Sequence, residues 1–281
     1  MKKILNSFPT GLLISLLLFV PSVAKGQSEK TVVKKYLSEL PKSPKSKALL
    51  KYRMTAIYTN RDLYGKFTGK TMVSGDYTCG LSGDSSMWSN VYISASNNFS
   101  DPFPAGTKQE YMENFKYIPS DKMMEENAFK KFPKSVENIF ARNLIWDMMS
   151  FDIFSGNYYD SLKLNIPYII PNIKGEFSMA DIGTYSHNKI ALCWRGITDF
   201  DGTLCAIIDF NAIDNMLDLN MDIIKTKGTE QYWGTVLVSM KNRDIEHADM
   251  YSGTIQEIEV KGMKDKFLMK TIRELEIREI Q

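Results

Sequence analysis

The sequence predicts a mainly β protein of the α+β class: a curved antiparallel sheet or half-barrel with a long apolar helix packed on its concave face. Three observations lead there. Stretches that alternate apolar and polar residues recur along the chain, and turn-forming residues close each of them. One segment, 136–155, instead carries helical spacing and is apolar on more than one side. Aromatic residues make up 12% of the chain, which suits packed strands over disorder.

The first element is read as a leader. Lys2 and Lys3 precede a ten-residue apolar run, 11–20, and Ala24-Lys25-Gly26 follows as a small-x-small cleavage site. That is the pattern of a secretory signal peptide, 1–26, and the run is too short for the ~20 residues a spanning helix needs. The expectation is an exported protein, periplasmic or extracellular, soluble after cleavage near Gly26, with no transmembrane anchor. The formal charge of +2 includes three lysines of the leader, so 32 cations would face 33 carboxylates afterwards. Such a balance gives no electrostatic case for nucleic acid or for anionic membranes.

Residues 27–48 are polar and Lys-rich and end in "PKSPKSK", a lead-in segment. A single β-rich domain is expected over 49–281, with a helical insert at about 121–160. "KYRMTAIYT" puts Tyr52, Met54, Ala56 and Tyr58 on one strand face. "MWSNVYISAS" puts Met87, Ser89, Val91, Ile93 and Ala95 on one face by the same alternation. Ser135 is placed to cap the helix, and Gly156 to stop it in a left-handed turn. "LNIPYIIPNI" is broken by Pro167 and Pro171 and suits an edge strand or connector. Two hairpins follow, turning at Asp201-Gly202 and near Asn242-Arg243, and "KFLMKTIRELEIREIQ" reads as a final strand.

Several stretches imitate catalytic motifs. "DFDGTL" matches the nucleophile signature of haloacid dehalogenase-type phosphatases at Asp199, but the residues after it read as strands rather than as the alternating helices and strands that chemistry requires. Asp-Gly between two apolar runs is a hairpin signal. "GKFTGKT" has three residues where a phosphate-binding loop needs four, and reads as a turn. With Asn242-Arg243 as the turn, Val238 pairs with His247, which then shares a face with Val236, Val238, Met240 and Ile245. A histidine there is a core residue, or an acid/base oriented by Asp249. Cys79, Cys193 and Cys205 have no metal-ligand spacing, and a turn at Asp201-Gly202 sets Cys205 opposite Thr198 and Cys193 opposite Phe210, too far out of register to bridge. No catalytic residue, metal site or cofactor is assigned.

"ALCWRGITDFDGTLCAIIDF" and "EQYWGTVLVSMKNRDIEHADMY" resemble successive hairpins of exported bacterial proteins of unknown function. Their arrangement is similar to the LolA/LolB-type lipoprotein carriers, whose curved sheet wraps a helix-stoppered apolar cavity. The resemblance covers roughly residues 50–100 and 190–280 and carries over no functional residue.

The leading expectation is an exported non-enzymatic protein binding a hydrophobic or lipid-like ligand between sheet and helix. Trp146, Met148, Met149, Phe151, Trp194, Trp233 and His247 are its candidate ligand-binding residues. The alternatives are a structural or protein-interaction module of the cell envelope, and a hydrolase using His247.

Overall fold

A computed structural model describes residues 39–280 apart from 134 and 136. The expected signal peptide, the first part of the lead-in segment and Val136 lie outside the described residues.

The structure is mostly β, a large curved antiparallel sheet that does not close into a barrel. The first three strands, β1 (Leu50–Asp62), β2 (Phe67–Leu81) and β3 (Ser85–Ser96), form a meander. Two short strands, β4 (Thr107–Lys108) and β5 (Phe115–Tyr117), pair with the far edge of β3. After helix α1 (Asn138–Asp152) come β6 (Tyr168–Ile169), β7 (Gly175–Ser178), β8 (Gly183–His187) and β9 (Lys189–Phe200). The chain ends in four long strands: β10 (Thr203–Asn220), β11 (Ile224–Ser239), β12 (Ile245–Val260) and β13 (Phe267–Glu279). The sheet order is β4-β3-β2-β1-β13-β12-β11-β10-β8-β7, with β9 and β6 branching from β10.

Strand β13 holds the two ends of the chain together. It pairs with β12 on one side and with β1 on the other, so that Leu275 stands opposite both Met250 and Ala56. Its alternation explains this central place. Arg273, Leu275 and Ile277 are buried on one face, while Glu274 and Arg278 are exposed on the other. The final-strand expectation is met, as are Tyr52, Met54, Ala56 and Tyr58, all buried on one face of β1.

The hairpin turn at Asp201 and Gly202 has positive φ at both residues, +48° and +84°, the primed geometry that matches strand twist. Both are exposed, and Phe200 pairs with Thr203. Tyr168–Ile169 pairs at the edge of β9 between its two prolines, as expected. In "YWG", a Cβ on Gly234 would sit 2.0 Å from the Asp249 carbonyl and 2.7 Å from the Phe210 ring. Only glycine lets β11 run this close to β12 and to an aromatic core residue.

Beta-bulges overturn three register expectations, because one extra residue flips every following side chain to the other face. In β3 the bulge at Asn90 (φ +52°) buries Trp88 together with Val91 and Ile93, in place of Met87 and Ser89. Between β9 and β10 a shift at Ile207/Ile208 puts Cys193 opposite Asp209 rather than Phe210, while Cys205 keeps Thr198. In β12 a shift sets Leu237, not Val238, opposite His247. Val236, Val238, Ile245 and Ala248 are buried on the inner face, and His247 stands on the outer one. All three cysteines are free thiols.

Helix α1 has no side-chain N-cap; it begins after Glu137, and the Ser135 carbonyl, not its hydroxyl, accepts the Asn138 N–H. It runs into a π turn over Ile153–Asn157, and Gly156 lies inside that turn rather than ending it left-handed. No residue of α1 is exposed. Phe140 packs edge-on against Tyr58 of β1, and Phe151 against Phe210 of β10. On another side, short 3-10 turns at Asp121–Met124 and Glu126–Phe129 cover it: Trp146 donates to the Met123 carbonyl and meets the Phe129 ring. Arg273 of β13 forms an ion pair with Asp147 of α1, both nearly buried.

Removing Asp147 would strand the Arg273 charge away from water. Asp147→Ala should cost ~3 kcal/mol or more in urea denaturation, whereas Asp147→Leu combined with Arg273→Met should recover most of that loss.

Candidate functional site

Two hollows open at opposite ends of the strands. The first, about 410 Å³, lies between the start of α1 and the inner residues of β1 and β10–β13. Its size falls in the range of small-molecule sites. The second, about 710 Å³, is bounded by residues 45–47, the β2–β3 turn, residues 118–121 and the end of α1.

The first hollow is layered. Leu219, Met221, Ile224, Ile258, Phe267 and Met269, with Thr226 and Gln256 among them, form its outer part, near the turns that join β10 to β11 and β12 to β13. Ile139 and Phe140 of α1 and Leu217 of β10 continue the apolar wall. Deeper along the same strands the lining turns polar: Asn60, Glu230, Ser252, Thr254, Thr271 and Arg273. These groups hold one another. Tyr185 Oη donates to Glu230 Oε2 at 2.7 Å, and Thr254 Oγ1 lies 3.4 Å from Glu230 Oε1. Thr271 Oγ1 donates to Asn60 Oδ1 at 2.9 Å, and Asn143 Nδ2 to Tyr58 Oη at 3.1 Å. The Arg273 guanidinium lies over the Tyr58 ring, 5.3 Å from its centroid.

A bulge in β10, with Asp214 at φ +56°, positions this floor. It lets one strand pair first with β9 and then with β8. It also turns Asn215 inward, where the amide donates to the Glu230 carbonyl (3.1 Å) and its oxygen meets His187 Nδ1 (3.1 Å). Burial raises the Glu230 carboxyl above the ordinary range, against the Tyr185, Ser252 and Thr254 hydroxyls that favour its charged form.

The second hollow mixes charged and apolar walls. Lys45 and Lys47 face Asp84, Asp121 and Asp152 across it, and Lys45 Nζ reaches Asp152 Oδ1 at 3.2 Å. Cys79 also borders it, with a thiol that burial pushes up to about 11, away from thiolate reactivity. Leu81, Ile118, Pro119, Met149 and Ile153 add apolar wall to it.

The seven residues singled out from sequence are dispersed. Met149 lines the second hollow. Met148, Phe151 and Trp194 are fully buried; Trp194 Nε1 donates to the Gly196 carbonyl at 2.7 Å. Trp146 is tucked beneath the covering turns. Trp233 is 48% exposed and stacks on Tyr251. His247 stacks on Phe200, and its Nδ1 is buried without a hydrogen-bond partner. Asp199 Oδ1 accepts the Gly202 N–H at 3.0 Å, a turn contact, and no cluster of three metal-ligating side chains occurs among the described residues. The sequence reading missed Glu230 and Arg273. Their signal is phase: each is a charge in step with a buried apolar stripe, Glu230 with Tyr232 and Val236, Arg273 with Leu275 and Ile277.

The folded protein holds the Glu230 proton more tightly than the unfolded chain does. Its contribution to stability is therefore fullest below the ordinary carboxylate range and is lost as pH rises through the raised folded value. Glu230→Gln should be more stable than the wild type at pH 8 and lose that advantage towards pH 4, as read by thermal melts across pH.

No family model and no curated protein matches the chain. Among solved structures, one of lipovitellin, described for its lipid–protein interactions, is similar at 12% identity and a TM-score of 0.39 over 83% of this chain. The chain spans about a quarter (25%) of that lipovitellin chain's length. A DUF1329 family protein from Desulfovibrio piger ATCC 29098 aligns over 91% of this chain and 92% of its own at 8% identity, with a TM-score of 0.14. At these values neither likeness bears on what this chain binds.

Proposed function

We propose that this is an exported, non-enzymatic binding protein. It takes an apolar or lipid-like ligand into the hollow between α1 and the inner, concave face of the sheet. The observation that carries the reading is the layering of that hollow: an apolar outer part over a hydrogen-bonded polar floor. An acyl or isoprenoid chain would bury against Leu219, Ile224, Ile258 and Met269, gaining ~25 cal/mol per Å² of apolar surface removed from water. A polar end group of the ligand would meet Glu230, Thr254 and Arg273. In this reading α1 is a stopper, held by the Asp147–Arg273 pair and by its apolar stripe, in the manner expected from the sequence resemblance to the LolA/LolB-type carriers. The signal-peptide pattern supplies the case for export.

Filling the hollow should weaken binding without touching the polar floor. Binding of a fluorescent fatty-acyl probe to the purified chain should weaken at least ~10-fold (about 1.4 kcal/mol) in Ile258→Trp and, from the opposite wall, in Ile139→Trp. Trp233→Ala, on the exposed side, should bind as the wild type does. A wild type that takes up no probe, or two filled variants that bind unchanged, would overturn the reading.

A further inference from the structure

The turns at the open end of the first hollow carry large apolar side chains into solvent. The antiparallel registers bring the β1–β2, β10–β11 and β12–β13 turns to one end of the sheet: Asp62 pairs with Met269, Ile258 with Phe267, Ile224 with Val260, and Asn220 with Lys225. There Tyr64 is 97% exposed, and Leu63, Ile223, Met263, Phe267 and Leu268 are exposed with it. Phe99, in the loop after β3, stands at the same end. It is fixed by Lys70, whose Nζ donates to the Phe99 and Asp101 carbonyls at 2.8 and 2.6 Å.

Cations surround these side chains. Over residues 61–66, 220–225 and 260–267, six cations (Arg61, Lys66, Lys225, Lys261, Lys264 and Lys266) stand against three carboxylates, Asp62, Asp222 and Asp265. Lys266 is held back by Glu257 and Glu259 on β12, at 2.7 and 3.7 Å. The others are concentrated at one end of a chain whose cations and carboxylates otherwise nearly balance. Turn residues have no strand partners to satisfy by burial, so exposing this much apolar surface among lysines has a cost in water and none at a lipid interface.

We propose that this end of the sheet docks on an anionic lipid surface. Tyr64, Leu63, Met263 and Leu268 enter the headgroup boundary, and Lys66, Lys261 and Lys264 meet the lipid phosphates. Docked this way, the outer apolar layer of the hollow faces the bilayer directly, with Phe267 and Met269 as the threshold. The inference rests on the proposed cavity ligand for its purpose, but Leu63, Tyr64, Met263 and Leu268, which carry it, do not line the cavity.

The test is flotation of the mature chain with vesicles of phosphatidylcholine, with and without phosphatidylglycerol. The wild type should float with the phosphatidylglycerol vesicles and be released by salt. The triple variant Leu63→Ser, Tyr64→Ser, Met263→Ser should lose at least ten-fold in vesicle affinity. Lys66→Glu, Lys261→Glu, Lys264→Glu should lose the phosphatidylglycerol dependence. Both variants should take up the fatty-acyl probe as the wild type does, which separates this proposal from the cavity reading. The docking proposal is overturned if the wild type stays with the pellet, or if the serine variant floats equally well. It is also overturned if sedimentation of the protein alone shows that the same side chains bury against a second copy.

Discussion

Everything in this molecule depends on β13 lying between β1 and β12. The meander β1–β3 and the long strands β10–β12 are contiguous in the sheet only through it, and each of its residues from Met269 to Arg278 faces a partner on both sides. The ladder is non-local: Asn60 opposes Thr271 across more than two hundred residues. The same strand carries Arg273, whose pair with Asp147 fixes the helix against the sheet. Docking of the helix and closure of the chain ends are thus one event. A buried ion pair adds little net stability over apolar substitutes, but a charge on the inner face penalises any helix position that fails to neutralise it.

The helix is more apolar than one interface needs because it has two. The sheet takes Ala141, Leu144, Ile145, Met148 and Phe151 into the core, and the short turns before it take Trp146. Where its first turn stops filling the space, the 410 Å³ hollow begins. Polar side chains floor this hollow because Glu230 and Arg273 interrupt the apolar stripes of β11 and β13; neighbouring hydroxyls bond Glu230, and Arg273 pairs with Asp147 while its Nε stays buried without a partner.

Much of this architecture was legible because period-two patterning and turn chemistry are local. The Asp201-Gly202 hairpin, the buried face of β1, the proline-flanked edge strand and the final strand all followed from residues within a few positions of each other. Bulges are not legible in that way. Asn90 and the residues around Glu246 look like ordinary strand positions, yet each shifts the phase, and so Trp88 moved inward and His247 outward. The covering turns before α1 were hidden for a different reason: 3-10 segments of four residues leave no periodic trace. As for the site, the helix-and-sheet hollow was foreseen as a place. Its lining was not, because aromatic and Met-rich helix residues attract attention while the charges that mark the floor pass as surface. On the strand they are displaced from the surface by alternation alone.

The central claim is that the hollow between α1 and the inner strands holds the apolar part of a ligand. A crystal structure with a chain-brominated fatty acid would test it most directly, because anomalous scattering locates the bromine without reference to the protein density. The account predicts a bromine among Ile139, Leu219 and Ile258, with the carboxyl end towards Thr254 and Arg273. A bromine beside Trp233 and Tyr251 on the exposed side, in the second hollow beside Asp152, or nowhere in the molecule would contradict it.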